Sequence, residues 1–412
     1  MPLTELRYGV WLGQRRVGFL HQRGDYTWFR FDESYLNDRN RPVLGLVFEQ
    51  NLHARHASAL RLPPWFSNLL PEGRLREWVA EGRGVSADRE MELLAQVGGD
   101  LPGAVRVLAE DTSPEDPVVN FEEITKSASH GEVVRPAGWR FSLAGVRMKF
   151  SLLRTGDRLT APASGRGGDW IVKLPDAEYS DVPTNEYVMM KLASIVGLDV
   201  PEVVLVHRDE IEGIPSSAWK SSEEWAYAVR RFDRLAGGGQ VHIEDLAQVR
   251  NVYSDRKYDG NFETVASLIY RRRDIRSLQE FSRRLAFNIL ISNGDAHLKN
   301  WSLIYRDSRV PEISPAYDLV STAPYRDPSD PEDLGLKFGG TRIFDRVSVA
   351  SFSRLEQRLN ARDAHLADHV ADLVRKVEAS WTEVEDLFST NQDLRRKINV
   401  EIGKRTRTLL GK

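Results

Sequence analysis

Asn293-Gly294-Asp295-Ala296-His297-Leu298-Lys299-Asn300 gathers a carboxylate and two amides in one short polar stretch, and a second acid follows in Ala316-Tyr317-Asp318-Leu319-Val320. Phosphoryl transfer needs a positioned acceptor oxygen, neutralised phosphate charge and usually a divalent metal. Mg²⁺ takes oxygen ligands, often one or two carboxylates beside phosphates and water. Asp318 and Asn300 have the donors for such an ion. Asp295 has the carboxylate to accept a hydrogen bond from an incoming hydroxyl and guide its proton away. Lys299 offers charge for the phosphoryl group, and His297 a hydrogen-bonding group for the turn; one histidine alone makes no metal site. Asp, Asn and Gly are ordinary turn residues. The weight therefore lies on the whole pattern of helix, polar turn, short apolar run and second acid.

Two further segments add to it. Lys173 lies inside the apolar run Trp170-Ile171-Val172-Lys173-Leu174-Pro175. A lysine there must reach water, as on an edge strand, or meet an anion such as a nucleotide phosphate. Glu186, on the next predicted helix, is either its partner or an ordinary solvent-facing acid. Ser142-Leu143-Ala144-Gly145-Val146-Arg147-Met148-Lys149 reads as a small-residue turn feeding a strand, with backbone N–H groups suited to phosphate oxygens or merely a loop. Neither a P-loop nor a GxGxxG motif occurs in the chain.

These residues need elements to hold them. Val10-Trp11-Leu12 and Arg16-Val17-Gly18-Phe19-Leu20 flank Gly13-Gln14 as a hairpin, and Tyr26 to Phe31 is another strand. Leu75 to Val79 begins a helix, and Met91 to Val97 is a second one stopped by Gly98-Gly99. Pro114, Pro117 and Pro136 punctuate a polar stretch, the best domain boundary. Arg147 to Leu153, Trp170 to Leu174, Val203 to Val206 and Ala226 to Val229 read as strands, with a helix from Asn185 to Val196. That order predicts a small, mostly antiparallel sheet with one packed helix. Phe281, Leu285 and Ile289, widened by Ala286 and Leu290, form an apolar helical stripe that leads into Asn293. Segments 352–360, 364–378 and 380–388 are helical in pattern, and a last helix includes Leu394, Ile398 and Ile402. Gly165-Arg166-Gly167-Gly168 and Gly237-Gly238-Gly239 read as exposed turns.

The 412 residues exceed what one core usually serves, so two or three domains are expected. There is no cysteine, which excludes disulfides, thiolate metal sites and cysteine nucleophiles. With 41% hydrophobic residues and no long apolar run, a soluble cytoplasmic protein without membrane contact is the expectation. A formal net charge of −3 gives no global argument for nucleic-acid binding. Arg271-Arg272-Arg273 and Lys404-Arg405 with Arg407 read as solvated surface, or less often as contacts for phosphate or an acidic partner.

The chain resembles the HipA family of serine/threonine kinase toxins from bacterial toxin–antitoxin systems. The resemblance runs through nearly all of it. It is carried by Trp65-Phe66-Ser67-Asn68-Leu69-Leu70-Pro71-Glu72, Gly98-Gly99-Asp100-Leu101-Pro102-Gly103-Ala104-Val105, Phe141-Ser142-Leu143-Ala144-Gly145, Ile171-Val172-Lys173-Leu174-Pro175 and Asn185-Glu186-Tyr187. Arg231-Phe232-Asp233-Arg234, His242-Ile243-Glu244-Asp245, Asn293-Gly294-Asp295-Ala296-His297 and Tyr317-Asp318-Leu319 complete the series.

The resemblance implies an α+β, two-lobed protein-kinase-like fold. Residues 1–110 would be the N-terminal subdomain, 111–139 a linker, 140–235 the kinase-like N-lobe and 236–412 a mostly helical C-lobe. ATP and Mg²⁺ are the implied cofactors. Asp295 matches the catalytic aspartate, with Lys299 beside it; Asn300 and Asp318 match the metal ligands, and Lys173 the phosphate-binding lysine. Ala144, Gly145, Val146, Arg147, Met148 and Lys149 match the ATP-contacting loop. Val229, Arg230, Arg231 and Phe232 match the hinge, and His297 joins the nucleotide site. Ser142 matches the serine whose autophosphorylation displaces the loop and inactivates the enzyme. The implied acceptor is a protein serine, on a translation-related target such as an aminoacyl-tRNA synthetase. A HipB-like helix-turn-helix antitoxin is the implied partner, with operator DNA reached mainly through it. Arg147-Met148-Lys149 stands where the family more usually has Gln-Glu-Lys, and Arg230 where Glu commonly precedes Arg-Phe-Asp. A small-molecule phosphotransferase and a catalytically weak transcriptional co-regulator are the alternatives.

Overall fold

The computed structural model describes residues 5–109, 148–156, 158–160, 167–326, 333–388 and 391–411. Among these, no helix is long and apolar enough to cross a membrane.

The N-terminal module begins with β1 (Glu5–Leu12), β2 (Arg15–Arg23) and β3 (Tyr26–Phe31). Gly13, at φ +62, makes the first turn, a conformation that costs glycine little. Two single-turn helices, α1 (Glu33–Leu36) and α2 (Leu46–Glu49), precede β4 (His56–Ala59). Then come α3 (Pro64–Ser67), α4 (Gly73–Arg83), α5 (Glu90–Val97) and β5 (Val105–Ala109). The sheet order is β4-β3-β2-β1-β5, with every pairing antiparallel.

The next layer contains β6 (Lys149–Thr155), β7 (Arg158–Thr160), β8 (Trp170–Lys173), α6 (Val182–Ile195), β9 (Val203–His207), β10 (Ile211–Glu212) and β11 (Trp225–Arg230). Its sheet runs β10-β7-β6-β8-β11-β9, antiparallel except for β10 beside β7. The expected sheet with one packed helix is there, and β8 lies inside it. The edge-strand option for Lys173 is thereby removed. Gly168 is buried, not in an exposed turn: a Cβ there would lie 2.3 Å from the Leu152 backbone nitrogen. Gly237-Gly238-Gly239 is exposed, as read.

The remaining chain supplies β12 (His242–Asp245), α7 (Leu246–Val249), α8 (Phe262–Tyr270), α9 (Ile275–Leu290), β13 (Ser302–Tyr305), β14 (Glu312–Ile313), β15 (Asp333–Phe338), β16 (Thr341–Ile343), α10 (Val349–Leu359), α11 (Leu366–Val384) and α12 (Gln392–Leu410). The 380–388 segment is not a separate helix. Val370, Val374, Val377, Trp381 and Val384 keep one buried stripe, so α11 runs through to Val384 and closes in a 3₁₀ turn at Glu385–Phe388. Arg405 is not surface either. Its side chain is fully buried in α12 and pairs with Asp345 and, at 3.0 Å, with Glu401.

Two apolar cores knit the molecule together. One joins the N-terminal module to the N-lobe sheet: Val10, Phe29, Trp65 and Leu94 belong with Phe150, Leu152, Trp170 and Val172. The other joins α6 to the helical lobe: Val188, Met189 and Leu192 belong with Phe281, Leu285, Val370 and Phe388. The two cores meet at the strands of the middle sheet, and a cleft opens beside them.

Candidate nucleotide and phosphoryl-transfer site

The helix α9 aims the polar turn. Asp274 caps it, its side chain accepting from Ser277 N at 2.9 Å, and Leu278, Phe281, Leu285, Ala286 and Ile289 bury one face. The helix ends at Leu290, and Ser292 takes φ +49, which reverses the chain. Asn293 then donates from Nδ2 to Asn288 Oδ1 at 2.7 Å, and its own Oδ1 accepts from Asp295 N at 3.1 Å. Gly294 N donates to Thr322 Oγ1 at 2.8 Å. From behind, Arg405 Nε donates to Ser292 Oγ at 2.9 Å, so the C-terminal helix braces the turn.

Asp318 lies in the irregular segment after β14 at φ +56, a conformation few non-glycine residues adopt and one that clusters at functional sites. Asn185 holds that segment to α6 by a reciprocal pair: its Nδ2 donates to Ser321 O at 2.9 Å, and its Oδ1 accepts from Ser321 N at 3.1 Å. The adjacent Glu186 is thereby brought to the same place. The Lys173 ammonium donates to both the Glu186 and the Asp318 carboxylates. Burial pulls this ammonium's pKa down, but Asp318 and Glu186 outweigh it and raise it above its ordinary value. Burial likewise pushes the Asp318 carboxyl up, yet Lys173 and then Lys149 hold it well below the usual range. Asp318 therefore stays anionic.

Lys149 faces Lys173 directly across β6 and β8. Burial first, and Lys173 against the pull of Asp318, bring its pKa down to about 8. Like charges opposed on neighbouring strands are destabilising. A pair of lysines kept there beside Glu186 and Asp318 makes a pocket suited to a further anion.

A cleft of about 220 Å³ is lined by Lys149, Lys173, Glu186, Asp295, Asn300 and Asp318, and on its apolar side by Ile171, Val229, Phe232, Ile243 and Val320. Asn300 donates from Nδ2 to the Asp295 carbonyl at 2.8 Å, which leaves its amide oxygen to offer. One anionic carboxylate and one amide oxygen form the sparse set that Mg²⁺ takes when phosphates and waters complete its shell. Among the described residues no cluster of three or more His, Asp or Glu competes as a metal site.

The other expected site residues fall out unevenly. Ser142, Ala144, Gly145, Val146 and Arg147 lie outside the described residues; Met148 precedes β6, its carbonyl accepting from Leu174 N at 3.1 Å. Val229, Arg230, Arg231 and Phe232 all line the cleft. The Arg231 side chain, however, turns away into a buried cluster. It bonds Asp233 at 2.8 Å and Asp100 at 3.3 Å, while Arg234 bonds Asp100 at 2.8 Å. His297 does not hold the turn by a side-chain hydrogen bond: its Nδ1 is buried with no partner and its Nε2 lies 3.9 Å from Asp295. Burial lowers its pKa, so the ring is neutral.

Lys299 differs most from its expected part. Its ammonium donates to Asn68 O and Asn68 Oδ1, both at 3.0 Å, and pairs with Asp245 at 3.0 Å and Glu72 at 3.4 Å. An ammonium has three donors, and these oxygens engage them. Lys299 is thus an anchor between the N-terminal module and the polar turn. Lys257 pairs with the same Glu72 at 3.1 Å. Burial pushes the Glu72 carboxyl up, but Lys299 and Lys257 bring it below its ordinary value. Asn68, Glu72 and Asp245 lie in motifs that carry the resemblance but had no role assigned from the sequence; Tyr258, whose phenol donates to Asp295, lies in none of them.

Fold and cleft together define a two-lobed, kinase-like α+β protein with an added N-terminal sheet module. Residues 8–108 match the HipA N-terminal domain and residues 141–381 the HipA-like C-terminal domain. Two Sinorhizobium fredii proteins bearing kinase names are similar along most of their length. Y4dM is 42% identical over 366 residues, 86% of each chain, and Y4mE is 31% identical over 405 residues, 89% of this chain and 91% of that one. The chain belongs to the HipA family. The HipA of Shewanella oneidensis MR-1, solved with HipB and operator DNA, has the same fold, with a TM-score of 0.72 at 20% identity over 98% of this chain and 97% of that one.

Proposed function

We propose that this chain is an ATP- and Mg²⁺-dependent protein serine/threonine kinase acting as a growth-inhibiting toxin. The observation that carries the reading is the convergence of Lys149, Lys173 and Asp318 with Asp295 and Asn300 in one cleft. Lys149 and Lys173 bind and neutralise the triphosphate. The apolar lining from Ile171, Val229, Phe232, Ile243 and Val320 takes the adenine. Asn300 and Asp318 hold the metal, which when bound draws charge from the phosphate oxygens. Asp295 orients the serine hydroxyl and receives its proton as the new O–P bond forms and the bond to the ADP oxygen breaks. Lys299 keeps the polar turn in register from behind.

The family name of the Shewanella relative, a serine/threonine-protein kinase toxin, supports the acceptor class. We extend it to a translation-related target such as an aminoacyl-tRNA synthetase, and to inhibitory autophosphorylation at Ser142. The Shewanella complex with HipB and operator DNA supports a HipB-like antitoxin as partner, with DNA engaged mainly through it. A cytoplasmic site of action follows from such partners.

The test is transfer of label from γ-labelled ATP to the protein itself or to cell extract. Asp295→Asn is expected to fold normally and lose about 10²–10⁴-fold in rate. Labelling that is unchanged in the variant would sink the assignment.

A further inference from the structure

Among the described residues, Tyr258 is the one group whose hydroxyl sits on the Asp295 carboxylate. Its phenol donates to Asp295 Oδ1. The ring stands edge-on to His297, with centroids 5.1 Å apart, and the residue is 39% exposed. Its backbone is pinned on both sides: Arg342 donates to Tyr258 O at 2.8 Å, and Leu298 N donates to Lys257 O at 3.1 Å. The placement of the residue is therefore built.

The bond is not needed to hold Asp295. Asn293 Oδ1 accepts from Asp295 N at 3.1 Å, and Asp295 O accepts from Asn300 Nδ2 and from His297 N, both at 2.8 Å. The backbone of the aspartate is fixed without help. What the phenol supplies is a neutral O–H donor on the catalytic carboxylate, the same group an acceptor serine must present there. Burial and then the Asp295 charge push the phenol's pKa far up, so it keeps its proton.

Building on the kinase reading above, we propose that Tyr258 occupies the acceptor-hydroxyl position at Asp295 Oδ1 in the substrate-free protein, and that an acceptor reaching that oxygen must displace it. Tyr258 then sets the threshold for acceptors. Water and loosely bound hydroxyls compete poorly with a charge-assisted hydrogen bond, and a serine held in place by a docked protein competes better. The device limits idle hydrolysis of ATP.

The test uses the full chain, with Tyr258→Phe as the variant and Asp295→Asn as the blank. Phe keeps the ring against His297; Tyr258→Leu, which removes it, is expected to act in the same direction. Two rates are read: ATP hydrolysis without a protein acceptor, and transfer to dephosphorylated casein. Loss of one partly exposed, charge-assisted bond predicts about a fivefold rise in hydrolysis and about a fivefold fall in KM for casein, with kcat near wild type. Unchanged hydrolysis and KM, or a fall in kcat, would overturn the proposal and make the phenol a positioning group. A wild-type chain inert toward ATP would bring down the kinase reading, and this proposal with it.

Discussion

At the scale of single residues, Lys149 shows function set against stability. It is part-buried, opposite Lys173, and its pKa comes down to about 8. A lysine whose folded pKa lies below its unfolded value carries its cost below the folded pKa; that cost is relieved as pH rises from about 8 toward 10.5. Lys149→Met is therefore expected to stabilise the nucleotide-free protein at pH 7, by about 1–2 kcal/mol after discounting for partial exposure. The gain should shrink above pH 8, while affinity for Mg-ATP falls at least tenfold on a loss of about 1.4 kcal/mol or more. Denaturant melts across pH, with calorimetry of nucleotide binding, check both halves; a destabilised variant would contradict the argument. The acids and amide at positions 295, 300 and 318 were legible because Asp295 and Asn300 share a short polar stretch beside apolar runs and Asp318 stands as a lone acid within one. The roles of Tyr258 and Asn68 were not, because their bonds reach 37 and 231 residues along the chain to Asp295 and Lys299. Lys299 read as a free charge for the same reason: nothing near it in sequence announces the oxygens that hold it.

Between elements, Glu244 is the clearest joint. It sits on β12 with no exposure, and accepts from Leu46 N at 3.0 Å, Trp65 Nε1 at 3.1 Å and the Tyr305 hydroxyl. One carboxylate so ties α2 and α3 of the N-terminal module to β13 of the helical lobe. No cation bonds it among the described residues, and burial pushes its pKa up to about 7 despite these donors. The sign follows from the folded state binding the extra proton. The stabilisation is complete below the unfolded value of 4.5 and is lost as pH rises through about 7. Glu244→Gln is expected to flatten the fall in melting temperature between these limits, which for the wild type amounts to on the order of 3 kcal/mol at most. It should also leave one of the three donors unmet, so that the variant is the less stable protein at pH 8. An unchanged slope in thermal melts from pH 5 to 8 would exclude Glu244 as its source. Strand and helix positions were readable from periodicity at this scale, down to α9 and its exit into Asn293. The length of α11 was not, because a single stripe through Trp381 and Val384 can be divided anywhere on the page but only one way against a core. Gly168 likewise looked like a turn until the Leu152 backbone was laid against it.

Across the whole molecule, the N-terminal module and the N-lobe share one apolar core, although residues 8–108 and 141–381 match separate family domains. The polar seam between them is the cluster of Asp100, Arg231, Asp233 and Arg234, two acids and two arginines with almost no exposed side-chain surface. Burial raises the Asp233 carboxyl, but Arg231 and Arg234 overcome it and bring its pKa to about 2. Charges cancel in this cluster, and Gly103 N adds a bond to Asp233 Oδ2 at 2.7 Å. Arg231 also lies in the run from Val229 to Asp233 that lines the cleft, so the seam fixes the cleft wall to the module. Arg231→Met leaves one net buried negative charge and is expected to cost about 3–5 kcal/mol of stability. The same variant should bind Mg-ATP more weakly, since the segment from Arg230 to Phe232 loses its anchor. Adding Asp100→Asn returns the net charge to zero and should recover part of the stability, though not the bonds that Arg231 makes to Ser151 Oγ at 3.1 Å and Leu101 O at 3.3 Å. Urea melts followed by tryptophan fluorescence and circular dichroism, with nucleotide titration beside them, measure all three effects. If Arg231→Met melted like the wild type, the seam would be an incidental contact and the cleft wall would owe its place to the shared apolar core alone.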